Sequence, residues 1–480
     1  MRPARPLLLA LVTLASVLLP AASATALSYP VTSPADTDAK GTLRGSIEEA
    51  NADPGADTIP IEVTGAIRLE TALPPVIESL EIQGPGAADL TIERKAGAAP
   101  FRVLAFTAHG VVRGMTISNG QDPLGAGILS EAGGLMLIGV VVTGNEARSE
   151  GGSQAVARGG GVASFGPLAV SESTIWGNDA FAAGGSSETM AAGGGIVALG
   201  SLTIGRSTIS GNSAQTPAAE SEGGAIAGGI QAIEVESANS TIAGNFVSGK
   251  AFATAANLAS ESGTLRNTIV ADPKGDEESC FGTVASGGFN LDEDGSCGFG
   301  QGSDLVGVTA GLDPVLKDNG GPTPTHALLA SSIAIDRGNS FGEKTDQRGL
   351  PRPSDFPAIS NKEGGDGSDI GAFELQAPPP AAPILVQAVH GDRTPPNTRI
   401  VSGPARVTFE RQAKFRFASS EGQSRFQCKL DKRRWRGCRN PYKGWVSAGA
   451  KHLFKVRAID RFGNVDPSPA RFGWRVKPLS

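Results

Sequence analysis

The sequence predicts an all-β protein built around a parallel β-helix, and three observations support this. An Ile/Val-x-Gly-Asn segment recurs four times at a nearly constant spacing, which is typical of a stacked repeat architecture. A Gly-rich strand start recurs between these segments. The chain has 65 glycines and only 5% aromatic residues, together with many Val, Ile, Thr and Ser, and this composition suits short strands joined by tight turns.

The repeat determines the expected architecture. Its asparagines are spaced 33, 34 and 33 residues apart, at Asn145, Asn178, Asn212 and Asn245. One repeat holds three short strand candidates, at 195–197, 202–204 and 207–209. Three strands per turn is the geometry of a parallel β-helix, in which coils stack about 4.8 Å apart. Because amides at one turn position can bond to each other, the four asparagines are predicted to form a structural ladder.

The segments that follow the repeat asparagines are polar, and their lengths differ from one repeat to the next. Examples are 146–158 and 213–222, which are rich in Ala, Ser, Gly and Glu. We expect these segments to project from one side of the β-helix as loops. Such loops are the natural place for a binding face on a repeat protein.

The N-terminus has the features of an export signal. Arg2 and Arg5 precede an apolar run at 7–19 and then small residues, so residues 1–26 are predicted to be a signal peptide, with a retained anchor helix as the alternative. Residues 27–56 are predicted to cap the β-helix with an amphipathic helix at 42–52. No later stretch is long and apolar enough to span a membrane. We therefore expect a secreted protein, extracellular or associated with the cell surface, with no transmembrane segment after cleavage.

The four cysteines fall into two close pairs, Cys280 with Cys297 and Cys428 with Cys438. In an oxidising compartment, an even number of cysteines favours two local disulfides. Zinc is the alternative, but no C-x-x-C spacing or nearby histidine cluster supports it.

Three further segments complete the predicted organisation. Residues 57–377 are assigned to the β-helix, including an irregular end segment after about residue 270. Residues 378–392 form a Pro-rich linker of extended character. Residues 393–480 contain short alternating strands separated by Gly, Asn and Pro turns, which predicts a small immunoglobulin-like β-sandwich.

Several segments of the long first part resemble secreted bacterial β-helix proteins. GGAI at 223–226 and the Ile-x-Gly-Asn segments resemble the GGAI and FxxN repeats of polymorphic outer-membrane-type proteins, with Ile or Val where that motif has Phe. The segment at 42–58 is similar to their capping segment, and GGPTPTHALL, AIDRG, DQRGLPRP and DIGAFE are similar to a choice-of-anchor end segment. The resemblance implies a right-handed, pectate-lyase-like solenoid and an exported surface or matrix protein. The resemblance assigns no catalytic residue to this chain.

The C-terminal part resembles an immunoglobulin-like module of actinobacterial secreted proteins. The matching residues are at 394–398, 426–431, 438, 457–460 and 464–466. The chain departs from that module at a hairpin, where Lys432, Arg433 and Arg434 follow Asp431 in place of the usual Gly.

Charge is distributed unevenly along the chain. Residues 393–480 carry 21 Lys and Arg against 5 Asp and Glu, a net charge of +16, whereas residues 25–392 carry a net charge of −24. Such asymmetry predicts an anionic partner for the basic part, namely a cell-wall or extracellular polymer or polysaccharide. Nucleic acid is not expected for an exported chain, and a monomer is expected.

The predicted binding residues lie on the basic hairpin: Lys432, Arg433, Arg434, Trp435, Arg436, Arg439 and Trp445. The alternative is a solvated hairpin with core aromatic residues.

One segment resembles the first half of a calcium loop. Asn290, Asp292 and Asp294 place oxygen ligands at alternate positions before Gly295, but Gln301 stands where a bidentate Glu is required. Two interpretations stay open, a Ca²⁺ site and a polar turn closed by the disulfide, and we expect the turn. No other cofactor is expected.

These observations favour an exported, non-enzymatic surface or matrix protein that binds a polymer through β-helix loops and the basic module. The alternative is a secreted polysaccharide lyase or glycoside hydrolase, which requires carboxylates that converge on one face. The acidic residues of the repeats do not recur in register. The richest acid–base set, Asp346, Arg348, Asp366 and Asp369, lies in the end segment and is expected to be structural. No catalytic residue is predicted.

Overall fold

β-Strands form almost all of the regular structure in the computed structural model, which describes residues 25–217, 223–275, 277–377 and 392–478. The chain divides into two compact units, Met1–Pro378 and Pro379–Ser480. Apart from residues 25 and 26, the predicted signal peptide lies outside the described residues. Apart from Asp392, the predicted linker also lies outside them.

The described residues of the first unit form one helix and 31 strands. The helix is α1 (Leu43–Ala52). The first strands are β1 (Ala56–Pro60), β2 (Gly65–Leu69), β3 (Ser79–Gln83), β4 (Leu90–Arg94), β5 (Leu104–Phe106), β6 (Gly110–Arg113), β7 (Thr116–Ser118), β8 (Ile128–Ser130), β9 (Leu135–Ile138), β10 (Val141–Thr143), β11 (Glu146–Glu150), β12 (Gln154–Arg158), β13 (Val162–Ser164), β14 (Leu168–Ser171) and β15 (Thr174–Trp176). They are followed by β16 (Asp179–Ala183), β17 (Glu188–Ala192), β18 (Ile196–Gly205), β19 (Thr208–Ser210), β20 (Ser213–Gln215), β21 (Gly223–Ile226), β22 (Ile230–Ala238), β23 (Thr241–Ala243), β24 (Phe246–Ser248), β25 (Phe252–Ala253), β26 (Leu258–Arg266), β27 (Ile269–Ala271), β28 (Cys280–Gly282), β29 (Ala285–Ser286), β30 (Leu291–Asp292) and β31 (Leu305–Val306).

The strands named above all pair in parallel, and neighbouring strands come from successive repeats. The antiparallel contacts among the described residues of this unit are isolated bridges in the end segment. A sheet of 13 strands contains the path β1-β3-β6-β9-β14-β18-β13-β8-β5, and a sheet of 10 strands runs β2-β4-β7-β10-β15-β19-β23-β27-β30-β31. In the second sheet, the buried apolar residue of each repeat lies directly over that of the next, in the column Val142, Ile175, Ile209, Ile242 and Val270. Burial of this column stabilises each turn through its neighbours. This arrangement is consistent with the predicted parallel β-helix.

The prediction that the variable segments are loops is wrong where the structure describes them. Residues 146–158 contain β11 and β12, which begin two further parallel sheets, β11-β16-β20-β24 and β12-β17-β21-β25. Small side chains fill the space between these sheets: Ala147, Ala155, Ala157, Ala180, Ala182, Ala191, Ala214 and Ala225 are all buried. Residues 218–222 lie outside the described part of the chain.

The predicted helix is present at the start of the first unit. Thr42 is its N-cap and accepts a hydrogen bond from the Gly45 N–H at 3.2 Å. Leu43, Ile47 and Ala50 form the buried face and belong to the same apolar core as the first strands. No helix among the described residues is long and apolar enough to cross a membrane.

The second unit is a domain of mostly antiparallel strands. Its strands are β32 (Thr398–Ser402), β33 (Val407–Thr408), β34 (Gln412–Ser419), β35 (Arg425–Leu430), β36 (Arg436–Cys438), β37 (Tyr442–Trp445), β38 (Lys451–Ile459) and β39 (Ala470–Val476). They form one sheet in the order β32-β34-β37 and another in the order β33-β39-β38-β35-β36. Phe415 of the first sheet stacks on Phe454 of the second with 4.0 Å between ring centroids, and both rings are buried. Aromatic packing between the two sheets therefore forms this core.

Candidate functional site

The repeat asparagines form a continuous buried column of hydrogen bonds. Each side-chain amide donates to the carbonyl oxygen of the next at 2.9 Å, in the order Asn145, Asn178, Asn212, Asn245 and Asn257. All five side chains are at most 1% exposed. Their polar atoms are thus used within the fold and are shielded from a ligand. Asn257 was missed in the sequence because only 12 residues separate it from Asn245.

Both expected disulfides are present, Cys280–Cys297 and Cys428–Cys438. The candidate calcium residues lie within the turn that the first disulfide closes. Asp292 accepts hydrogen bonds from the backbone N–H groups of Gly295 and Cys297, and Asp294 accepts one from Ser279. Asn290 donates to the Leu265 carbonyl.

The electrostatics of this turn follow from its burial. Desolvation and the neighbouring Asp294 raise the pKa of Asp292 to about 6.

In the described part of the chain, one trio of acidic side chains brings its oxygens within 4.8 Å of one another, and it lies in the second unit at Asp392, Glu421 and Asp460. Acidic groups of this kind are common without an ion, so the trio alone defines no metal centre.

The acid–base set of the end segment is used in hydrogen bonds within the protein. Asp346 accepts the backbone N–H groups of Arg348 and Leu350, and its other oxygen accepts that of Glu374. Asp369 accepts the N–H groups of Asp336 and Leu375, and burial together with the Glu374 carboxyl raises the pKa of Asp369 to about 8. Asp366, which belongs to the same set, accepts a hydrogen bond from the Ser340 hydroxyl at 2.6 Å and closes a turn in the end segment. These contacts support a structural role for the set.

A strongly basic surface covers the outward side of the five-stranded sheet in the second unit. Cross-strand register places Lys455 directly opposite Lys429 on one side and Arg471 on the other, and it places Lys451 opposite Arg475. No acidic residue stands at an outward position of β35, β38 or β39. We call this surface the basic face: Arg425, Lys429, Lys451, Lys455, Arg457, Arg471 and Arg475.

The basic face lacks internal charge compensation. Within residues 392–478, no Lys or Arg nitrogen lies within 4.0 Å of a carboxylate oxygen. The one His–carboxylate contact there joins His452 Nδ1 to Asp431 at 2.9 Å, and neither residue belongs to the face. Like charges directly opposite each other on a sheet destabilise the fold by roughly 0.2–1 kcal/mol per pair. An uncompensated row of cations produces a positive electrostatic potential, which attracts anions.

One cation of the basic face is held in place. The Arg457 guanidinium donates to Gln427 Oε1 at 2.9 and 2.7 Å and lies 4.5 Å above the Trp435 ring. The ring attracts the cation through its π-electrons, and the amide fixes its orientation. The position of Arg457 is thereby set before any anion binds.

The structure separates the predicted hairpin residues into two groups. Lys432, Arg433 and Arg434 are exposed in the turn between β35 and β36, at the edge of the sheet that carries the basic face. The other members of this group are Trp435, Arg436 and Arg439. Trp445, which is 67% exposed, lies on β37 in the other sheet, opposite Gln412 and next to the directly opposed Lys414 and Lys443.

Sequence reasoning identified the hairpin and missed the basic face. The available signal was the alternation of basic with apolar residues in 451–457 and 471–475. That alternation predicts which side chains share one side of a strand. It does not predict which strands are neighbours, and the charged rows depend on that pairing.

Comparison with known proteins supplies no family assignment, because no protein-family model matches the chain and no curated protein is significantly similar to it. The class that the structure defines is an all-β protein with long parallel sheets, followed by a domain of mostly antiparallel strands. The resemblances of the repeats, the end segment and the immunoglobulin-like part stay predictions based on their motifs.

Proposed function

We propose that this chain is an exported surface or matrix protein that attaches to an anionic polymer through the basic face of its second unit. In this proposal the first unit is a right-handed parallel β-helix that serves as a rigid scaffold, and the second is an immunoglobulin-like module. Attachment of this kind requires no catalytic step.

The observation that carries the proposal is the row formed by Lys429, Lys455 and Arg471. Three cations on adjacent strands lie side by side without a carboxylate partner in the described residues of the unit. Adjacent strands are about 4.8 Å apart, so a polymer with closely spaced phosphate or carboxylate groups can contact the three cations together. The basic turn that contains Lys432, Arg433 and Arg434 extends the same sheet at its edge.

Export is supported by the predicted signal peptide and by the two disulfides, which form and persist in oxidising compartments. The end segment that resembles a choice-of-anchor domain also agrees with a surface location. The alternative prediction, a polysaccharide lyase or glycoside hydrolase, receives no comparable support, since Asp346 and Asp369 of the richest acid–base set are buried.

Retention on immobilised polymers tests the proposal. The full mature chain is passed over long-chain polyphosphate, polygalacturonate and neutral dextran at increasing salt concentrations. We expect retention on one or both anionic polymers that is lost as salt screens the charges, and no retention on dextran. Equal retention on dextran, or no retention on either polyanion at low salt, would refute the proposal.

A further inference from the structure

A cleft of about 630 Å³ lies in the first unit between the 10-stranded sheet and residues 309–329 of the end segment. One wall is formed by the outward residues of successive turns, Trp176, Ser210 and Ala243, which follow each other in register. The opposite wall includes Asp313 and His326. The volume is in the range of cavities that hold small molecules.

Within this cleft, a serine and a histidine are joined in the geometry of a nucleophile and its base. Ser210 Oγ lies 2.8 Å from His326 Nε2, and His326 Nδ1 lies 2.8 Å from the carbonyl oxygen of Asp313. A carbonyl oxygen can only accept a hydrogen bond, so the contact assigns the imidazole proton to Nδ1. In the neutral ring, Nε2 is then the acceptor and the Ser210 hydroxyl donates to it.

The surroundings keep the imidazole in its neutral form. Burial lowers the pKa of His326, and this effect outweighs the hydrogen bond from Nδ1 to Asp313 and the charges of Asp272 and Asp313, which raise it. The groups facing the cleft also include Lys274, whose ammonium lies 2.6 Å from the Asp272 carboxylate, and Glu293. A neutral ring with a free Nε2 can accept the serine proton.

We propose that this cleft is a hydrolytic site in which Ser210 is the nucleophile and His326 the general base, acting on an ester carried by a hydroxyl-rich, sugar-like ligand. The Trp176 ring, 39% exposed, offers an aromatic surface for a sugar ring, and Asp272 and Glu293 offer acceptors for hydroxyl groups. A backbone carbonyl orients the imidazole without the added charge of a carboxylate. This favours esters over amides, since an alkoxide is more easily expelled than an amine.

The reaction balances with water as the second reactant. Ser210 Oγ bonds to the ester carbonyl carbon as its proton passes to His326 Nε2. The bond from that carbon to the alcohol oxygen then breaks, and the Nε2 proton goes to the leaving alkoxide. Water attacks the acyl-serine and gives a proton to Nε2, which returns it to Ser210 Oγ as the carboxylic acid leaves.

The alternative is a purely structural role, in which the pair only holds the end segment against the sheet, as the hydrogen bond between Gln347 and Thr208 does. Substitution at Ser210 separates the two interpretations. Ala243 stands at the same register position one turn further along, so an alanine side chain is already accommodated in this column. Ser210→Ala is therefore expected to fold. Thr143→Ala, in the same column two turns away from Ser210, is the matched control.

The experiment uses the full mature chain with both disulfides intact. A fluorophosphonate probe is applied, the adduct is located by mass spectrometry, and hydrolysis of p-nitrophenyl acetate and of acetylated xylan is measured. We expect an adduct on Ser210 and turnover of at least one ester. Ser210→Ala and His326→Gln should lower turnover at least about 100-fold, and Thr143→Ala should leave it unchanged. The acid limb of the pH–rate profile should lie below the usual histidine pKa of about 6.5.

Three results would overturn the proposal: no adduct on Ser210 in the folded protein, no turnover of either ester, or turnover that survives in Ser210→Ala. In each case the pair is a structural tether. The outcome is independent of polymer attachment, because Ser210→Ala leaves the basic face unchanged. Retention of this variant on polyphosphate or polygalacturonate reports on attachment alone.

Discussion

The side chains of Asn178 and Asn212, 34 residues apart in the chain, are joined by a buried 2.9 Å hydrogen bond. The same Asn212 oxygen also accepts the backbone N–H of Asn178 at 3.0 Å. One carbonyl group thus satisfies two donors of the preceding turn. This relationship repeats along the column, so each asparagine holds the turn before it in register.

Replacing one member of the column should destabilise the first unit strongly. Asn178→Ala removes the acceptor of two Asn145 donors and leaves the Asn212 carbonyl without its side-chain partner. The Asn145 backbone N–H is then left without an acceptor, whereas Asn145 Nδ2 keeps the Ile117 and Thr143 carbonyl oxygens. At roughly 1–3 kcal/mol for a buried group left unsatisfied, we expect a loss of about 1–3 kcal/mol in the free energy of unfolding. Urea denaturation followed by circular dichroism measures it. Asn361→Ala, at an exposed position, is the control and should change stability by less than about 0.5 kcal/mol.

The glycine strand start packs against the same column. A Cβ atom at Gly195 would lie 2.7 Å from the Gly229 carbonyl oxygen and 2.9 Å from Asn212 Nδ2, whereas one at Gly205 would meet no atom within 4 Å. Gly195→Ala should therefore cost about 1–3 kcal/mol through overpacking. Gly205→Ala, at the end of β18, the strand that Gly195 directly precedes, should be neutral or stabilise by about 0.5 kcal/mol. Thermal denaturation of both variants compares them, and an equal effect would argue against close packing at Gly195.

Asp369 makes stability depend on pH in a defined window. Its pKa of about 8 in the folded protein exceeds the usual value of about 3.9, so the folded state binds more protons and stability falls as pH rises between these values. His326, whose folded pKa is lowered, acts in the opposite direction only below about pH 6.5. Between pH 6.5 and 8, we therefore expect the wild type to lose stability as the pH rises, by at most roughly 1 kcal/mol per pH unit. Asp369→Asn should flatten this dependence in urea titrations, and an unchanged slope would contradict the assignment.

The sequence predicted those parts of the structure that depend on local pattern. The spacing of Asn145, Asn178 and Asn212 predicted stacked turns, and the apolar face of residues 43–50 predicted the helix. Residues 146–158 were misassigned because Ala, Ser, Gly and Glu have low strand propensity. They form strands because parallel partners in the next turn pair with them and small side chains fit the narrow space between the two sheets.

The candidate sites were harder to predict because they join residues that are distant in sequence. Lys429 and Lys455 become neighbours only through strand pairing, and Ser210 meets His326 across 116 residues. Composition revealed the excess of basic residues after residue 393, which led to an anionic partner. It did not show that seven of them share one sheet surface. Isolated histidines such as His326 carry no recognisable spacing, so no pattern marked the pair.

We expect that charge on one sheet surface, and not net charge alone, attaches this protein to an anionic polymer. Two triple variants with the same change in net charge test it: Lys429→Gln with Lys455→Gln and Arg471→Gln on the basic face, and Lys414→Gln with Arg416→Gln and Lys443→Gln on the other sheet. Binding to the polyanion that retains the wild type is measured from 50 to 300 mM salt. We predict that the first variant lowers the slope of log affinity against log salt by about 2–3, and that the second lowers it by less than about 1. Equal slopes for the two variants would show that net charge alone determines attachment and that the basic face has no special role.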